Sequence, residues 1–341
     1  MLHIVRNLFK TALLSSLSLL LPLISYADIT DKAEVKQFIT HMVNKHQFDQ
    51  AELTQVFEQI SIQDNILRLI DKPYEGKPWY IYRKNFLDHC RVQRGVDFWQ
   101  ANEVDLQRAE QDYGVPAPYI VAILGVETYY GSNQGSYRAA EAISTIAFGY
   151  PRRADYFRKE LEQFLLLARE QQINPLDVYG SYAGAIGQPQ FMPSSYRHYA
   201  VDFTGSGNID LSGNNADAIG SVANYFKVHG WRAGEPIATK AQVASNASYQ
   251  QLDIKKRRAQ YPLTTLAQHG VQPDTAIDTT PEKANVIKLD GEHAPEYWLG
   301  FNNFYVITRY NTSNLYAMAV HQLAEKLAEQ KQGTTPPGPT C

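Results

Sequence analysis

The segment Pro118-Tyr119-Ile120-Val121-Ala122-Ile123-Leu124-Gly125-Val126-Glu127 constrains this chain more than any other. Pro118 fits the first turn of a helix, where its missing N–H costs nothing. Ile120, Ile123, Leu124 and Glu127 follow at i, i+3, i+4 and i+7, so they share one helix face. Three aliphatic residues mark that face as the buried one, and Gly131 is a stop signal. The helix therefore carries a carboxylate on its apolar stripe into its own last turn. Burial and the negative end of the helix dipole both disfavour the ionised form of Glu127. A carboxyl group kept protonated near neutrality is what a general acid requires. The competing reading is a helix-terminal Glu that turns out to solvent.

Helical periodicity also covers residues 34–70, with Val35, Phe38, Ile39 and Met42 on one face and Leu53, Val56, Phe57 and Ile60 on the next. Asp71 to Pro78 reads as a loop. Helical patterns are predicted over 79–113, 118–131, 137–147, 151–172 and 214–230. After Trp231 the texture changes. Runs at Ile237–Val243, Ala284–Leu289 and Phe304–Thr308, separated by Gly, Asn and Asp, read as short strands, with a helical piece near Leu263–His269. Helix returns from Ser313 to Gln330. The 341 residues suffice for two or three domains.

Arg6 and Lys10 precede an apolar run from Thr11 to Ile24 that holds seven leucines, and Ser25-Tyr26-Ala27 supplies small residues for a cleavage site. The expectation is a signal peptide over 1–27, cut before Asp28 and directing the protein to the periplasm. An uncleaved anchor is the alternative, but the run is short for a bilayer. No Cys follows it for lipid attachment, and no later stretch is apolar enough to span a membrane. Removing 1–27 leaves 30 basic residues of the original 32 against 35 acidic, a net charge of −5. No basic face points to nucleic acid. Cys90 and Cys341 do not make a disulfide framework. Cys90 is expected to be a buried thiol, and Cys341 ends a Gly/Pro/Thr tail expected to be disordered.

Two further blocks carry chemistry. Gly180-Ser181-Tyr182-Ala183-Gly184-Ala185-Ile186-Gly187-Gln188-Pro189-Gln190-Phe191-Met192-Pro193-Ser194-Ser195-Tyr196 interleaves small residues, amides, hydroxyls and rings. That mixture suits a sugar, with its apolar face and polar rim, or else a tight helix–helix junction. Arg309-Tyr310-Asn311-Thr312-Ser313-Asn314-Leu315-Tyr316 lies before the last helix, where Thr312 or Ser313 can serve as its cap without any ligand.

These blocks, with Phe148-Gly149-Tyr150-Pro151-Arg152-Arg153-Ala154-Asp155-Tyr156-Phe157 and Asp217 to Trp231, resemble in order the lytic murein transglycosylase B family. The resemblance covers nearly all of residues 30–330. It implies a mainly α (α+β) fold: a lysozyme-like helical core with an N-terminal α domain and a small inserted β domain. The divisions are then 28–78 for the N-terminal α domain, 79–232 for the core, 233–303 for the β-containing insertion, 304–330 for the return to the core and 331–341 for the tail. The family cleaves the β-1,4 bond between N-acetylmuramic acid and N-acetylglucosamine in peptidoglycan, leaving 1,6-anhydromuramoyl ends. Glu127 matches its catalytic acid/base. Ser181, Gln190, Tyr310, Asn311 and Tyr316 match groove residues. Arg152 and Arg153 match a pair placed for substrate carboxylates, with a surface salt bridge as the alternative.

Hydrolases usually need two carboxyl groups. Asp155 and Glu141 are available, but their helical contexts suggest surface or pairing roles. A muramidase of the same fold and a non-catalytic wall-binding scaffold are the rival readings. No cofactor is required for one-carboxyl chemistry. Glycan strands are the expected partner, other cell-wall enzymes are further candidates, and nothing calls for an oligomer. The loop from Asp202 to Asp210 resembles the start of an EF-hand, and family members can carry Ca²⁺ there. Asp202, Thr204, Ser206 and Asn208, closed by Asp217, are its candidate ligands. Gly213 replaces the Glu expected at the last position, which weakens such a site.

Overall fold

The computed structural model describes residues 29–71, 76–255, 257–277, 281–333 and 341. The expected leader and residues 334–340 of the expected tail lie outside them. Among the described residues the first α-helices are α1 (Ala33–His46), α2 (Gln50–Glu58) and α3 (Asp64–Ile70). Asp49 caps α2 by accepting from the Glu52 amide. Next come α4 (Trp79–Tyr82), α5 (His89–Ala101), α6 (Glu103–Tyr113) and α7 (Ala117–Thr128). β1 (Tyr137–Arg138) leads into α8 (Ala139–Gly149), followed by α9 (Ala154–Glu170). β2 (Tyr179–Gly180) pairs antiparallel with β1. Then come α10 (Pro193–Tyr199) and α11 (Asn215–Val228).

A β unit follows: β3 (Ala238–Val243), β4 (Tyr261–Pro262), α12 (Leu263–Gln268), β5 (Val271–Pro273), β6 (Lys283–Leu289) and β7 (Glu296–Gly300). Its five strands run antiparallel in the order β4-β6-β7-β3-β5. Tyr249, Leu266, Val271, Ala284, Val286, Leu299 and Phe301 give this unit a small core of its own. The chain returns through α13 (Asn302–Tyr310) and α14 (Asn314–Lys331). Among the described residues no helix is long and apolar enough to cross a membrane.

From Tyr119 to Gly125 α7 is buried on every side, not on one stripe: Val121, Ala122 and Gly125 are buried along with Ile120, Ile123 and Leu124. It is the central helix, packed against α5, α6, α11 and α14, which is where an all-round apolar helix must lie. A Cβ on Gly125 or Gly95 would run into the Tyr130 ring, so the two glycines make the slot that ring fills.

Two expectations are corrected. Phe304–Thr308 is not a strand but the middle of α13, with every residue from Asn303 to Thr308 buried. Its β-branched residues favour a strand, but tertiary context overrides them. The Asn303 side chain clamps the start of the β unit, accepting from the Arg232 amide and donating to the Arg232 and Glu235 carbonyls. The third strand of the sheet's centre is β7 instead. Cys90 is not a free thiol: it is half-buried and disulfide-bonded to Cys341, with Cα atoms 5.4 Å apart. Spacing in sequence says nothing about a pair 251 residues apart.

Candidate active site

Pro118 opens α7 and Glu127 stands half-buried in its last turn. The helix stops earlier than Gly131. Tyr129 and Tyr130 both adopt left-handed backbone, at φ 53° and 59°, and Gly131 follows at 80°. Two such non-glycine residues in succession are strained by roughly 1–2 kcal/mol each. Side-chain contacts hold them there. The guanidinium groups of Arg91 and Arg94 lie over the Tyr129 ring, 4.6 and 4.9 Å from its centroid. The Tyr130 hydroxyl donates to the Arg91 carbonyl at 2.8 Å, and Arg91 donates to the Gly125 carbonyl.

The three chemical blocks converge at this helix end. The Tyr316 hydroxyl, in the first turn of α14, donates to Glu127 Oε1 at 2.5 Å. Burial, then the nearby Glu127 charge, pushes the Tyr316 phenol well above its ordinary pKa, so it keeps its proton and acts as the donor. Tyr310 stacks on Tyr316 with centroids 6.4 Å apart, and it is pushed up by the same causes. The Tyr310 hydroxyl donates to the Pro189 carbonyl at 2.5 Å, joining the third block to the second. Ser313 caps α14 by accepting from the Tyr316 amide, which fixes the turn that presents this phenol.

Sequence reasoning missed Thr128. Its hydroxyl donates to the Gln188 carbonyl at 2.8 Å and accepts from the Gly131 amide, so one side chain ties the helix end to the second block. It also missed Gln134, whose carbonyl accepts from Gln190. Nothing in the spacing of either residue signals these contacts.

The second block is a tight turn. Ser181 Oγ accepts from the Ala183 and Ala185 amides, and Ile186 forms bridges to Gly180 and Phe191. Gln190 sits at φ 50°, its side chain donating to the Gln134 and Gly187 carbonyls. Asn311 ends α13 in extended backbone, half-buried beside Tyr310 in sequence. Arg152 and Arg153 are exposed on a short turn before α9. Arg152 pairs with Asp71, and Arg153 lies over the Tyr156 and Phe157 rings.

The loop after Asp202 gathers oxygen atoms. Asp202 Oδ1 is 3.1 Å from Thr204 Oγ1 and 3.4 Å from Ser206 Oγ, which donates to the Asn208 carbonyl at 2.9 Å. Oxygen atoms at such separations fit the ligand shell of a hard cation. Asp217 sits apart in role. It is fully buried, and its two oxygens accept from the Phe203, Thr204 and Asp210 amides, so it holds the loop's backbone directly.

The family described as transglycosylase SLT domain matches residues 30–325. Membrane-bound lytic murein transglycosylase B of Escherichia coli is 45% identical over 311 residues, 88% of this chain and 84% of that protein. The crystal structure of soluble lytic transglycosylase SltB1 from Pseudomonas aeruginosa is 47% identical, with TM-score 0.82, covering 88% of this chain and 99% of that one. An Escherichia coli lytic transglycosylase in complex with calcium is 45% identical, with TM-score 0.82, covering 89% and 96%.

Proposed function

This chain belongs to the transglycosylase SLT domain family, and on that premise we infer that Glu127 is the single acid/base of its glycan-cutting chemistry. The protein is a lytic transglycosylase of peptidoglycan, cleaving between N-acetylmuramic acid and N-acetylglucosamine and leaving 1,6-anhydromuramoyl ends. Glu127 gives its proton to the glycosidic oxygen as the bond to the muramoyl C1 breaks, and the bonding pair leaves with that oxygen. The 2-acetamido carbonyl stabilises the developing oxocarbenium. Glu127, now ionised, takes the proton of the C6 hydroxyl as its oxygen closes on C1. The proton is returned and no water is consumed. Holding the hydroxyl against C1 is a proximity effect.

The observation that carries this reading is the pairing of Glu127 with Tyr316 while the other acidic candidates are engaged elsewhere. Glu141 accepts from Ser61 and Gln63. Asp155 is almost wholly exposed beside Arg158. The substrate's own C6 hydroxyl serves as the nucleophile, so the step calls for no second carboxyl group.

The glycan groove is lined by Ser181, Gln190, Tyr310, Asn311 and Tyr316. Ser181 accepts two amide bonds on its oxygen, which leaves its hydroxyl hydrogen for a sugar oxygen. Arg152 and Arg153 meet substrate carboxylates. The exposed Asp71–Arg152 pair is weakly held and exchanges readily for one. The glycan strand is the partner, and the periplasm is the compartment where that polymer is met. Calcium would be held by Asp202, Thr204, Ser206 and the Asn208 carbonyl, with Asp217 buttressing the loop. Its charge would tighten the loop and take no part in the bond cleavage. Added Ca²⁺ is expected to raise the melting temperature, and D202N to abolish the rise, read by calorimetry.

Digestion of isolated peptidoglycan followed by mass spectrometry tests the function. Products one water lighter than hydrolysed muropeptides are expected from wild type, and from E127Q only at a rate lowered roughly 10³-fold. Ends carrying that water would make the protein a muramidase, and unimpaired digestion by E127Q would remove Glu127 from the chemistry.

A further inference from the structure

The N-terminal helices meet the core through an unusual cluster. His41 and His46 lie on α1, and their Nε2 atoms stand 2.9 and 2.8 Å from the two carboxylate oxygens of Glu162 on α9. These three ligand atoms all lie within 4.8 Å of one another. The α1 helix ends at His46 because Gln47 turns left-handed at φ 57°. Arg169 fixes that end by donating to the His46 carbonyl at 2.7 Å. The rings are thus held on either side of one carboxylate, with centroids 6.1 Å apart.

We propose that His41, His46 and Glu162 form a transition-metal site, suited to Zn²⁺, that clasps α1 to α9. Two imidazoles and one carboxylate are a donor set for zinc and its neighbours, whereas calcium and magnesium take oxygen shells. Bonds of about 2.1 Å in tetrahedral geometry separate ligand atoms by roughly 3.4 Å, inside the 4.8 Å within which these three already lie. Small rotamer adjustments suffice. Three protein ligands leave a fourth position for water.

That position is now contested by a positive charge. Lys45 Nζ lies 2.9 Å from Glu162 Oε1. An ammonium beside the shared carboxylate marks where the field favours a cation, and it is the group a metal has to displace. The lysine can swing away, since its side chain is 55% exposed. A cavity of about 680 Å³, lined by His41, Lys45, Asp155, Arg158 and Glu162, opens onto the cluster and gives an ion its route. On binding, each neutral imidazole carries its proton on Nδ1 and offers the Nε2 lone pair. Metal bound only when α1 lies on α9 stabilises that packing by mass action.

The test uses the whole protein, freed of metal with a chelator. Zn²⁺ titration by calorimetry and thermal melts with and without Zn²⁺ are read for wild type, H41Q, H46Q and K45M. Co²⁺ serves as the optical probe. We expect saturable binding, a raised melting temperature and tetrahedral Co²⁺ absorption bands. H41Q or H46Q should weaken binding by about tenfold or more, and K45M should tighten it by removing the competitor. A plain ion cluster predicts that K45M still binds no Zn²⁺. That result, or binding unchanged in both histidine variants, overturns the proposal.

Discussion

Glu127 and Asp217 are acidic residues at opposite ends of two core helices, and their surroundings differ in kind. Asp217 stands in the first turn of α11, where the helix dipole favours negative charge, and three backbone amides satisfy its oxygens. Glu127 stands in the last turn of α7, where the dipole opposes charge, and a phenol from a distant helix donates to it. A carboxylate saturated by backbone amides is a structural part. One met by a side-chain hydroxyl at a strained helix end fits the proton traffic proposed for Glu127.

The comparison is broken most sharply by swapping charge for amide at both sites. E127Q should lower the rate of glycan cleavage roughly 10³-fold while leaving the melting temperature unchanged, since the Gln carbonyl can still accept from Tyr316. D217N should do the reverse. Loss of charge-assisted bonds to three amides should cost about 3 kcal/mol or more of stability, measured by denaturant unfolding, with the folded fraction retaining activity. A rate loss in D217N larger than its folded fraction explains would erase the distinction.

A third buried ionisable group sharpens it. His321, on the same helix as Tyr316, is 3% exposed, and its Nδ1 lies 2.9 Å from the Tyr119 hydroxyl. Glu325 lies 3.5 Å from its Nε2. Burial nevertheless holds the imidazole neutral, with a pKa pushed down to about 4. The unfolded chain binds this proton below about 6.5, the native protein only below about 4. Stability is therefore complete above pH 6.5 and falls by roughly 3 kcal/mol as pH drops towards 4. H321Q should flatten that slope in unfolding curves taken across the range. The smallest effect belongs to Y316F. Loss of one hydroxyl should cut kcat by about tenfold with little change in KM, because the phenol orients the acid and the rest of the groove is untouched.

How much of this was legible depends on what each residue answers to. α7 and its terminal carboxylate could be read because Pro118 and the aliphatic spacing are local signals, although the helix ends at Thr128 rather than at the expected glycine stop. Ser313 could be read as a cap for the same reason. The left-handed pair Tyr129 and Tyr130 could not, because Arg91, Arg94 and Gly95 meet it from a different helix, α5. Thr128 was invisible because its partner lies 60 residues away. Residues 304–308 misled because β-branched composition spoke for a strand while full burial called for a helix. The three blocks could be named from sequence, but their meeting through Tyr310, Tyr316 and Pro189 is a property of the fold.

Glu127 receives its phenol from a residue 189 positions further along the chain. A polypeptide still emerging carries the acid long before it carries the tyrosine. The reactive arrangement is thus among the last to be assembled, after the β unit has been made and α13 and α14 have folded back. A chain truncated ahead of Tyr310 would lack both that phenol and α14, one of the helices that bury α7.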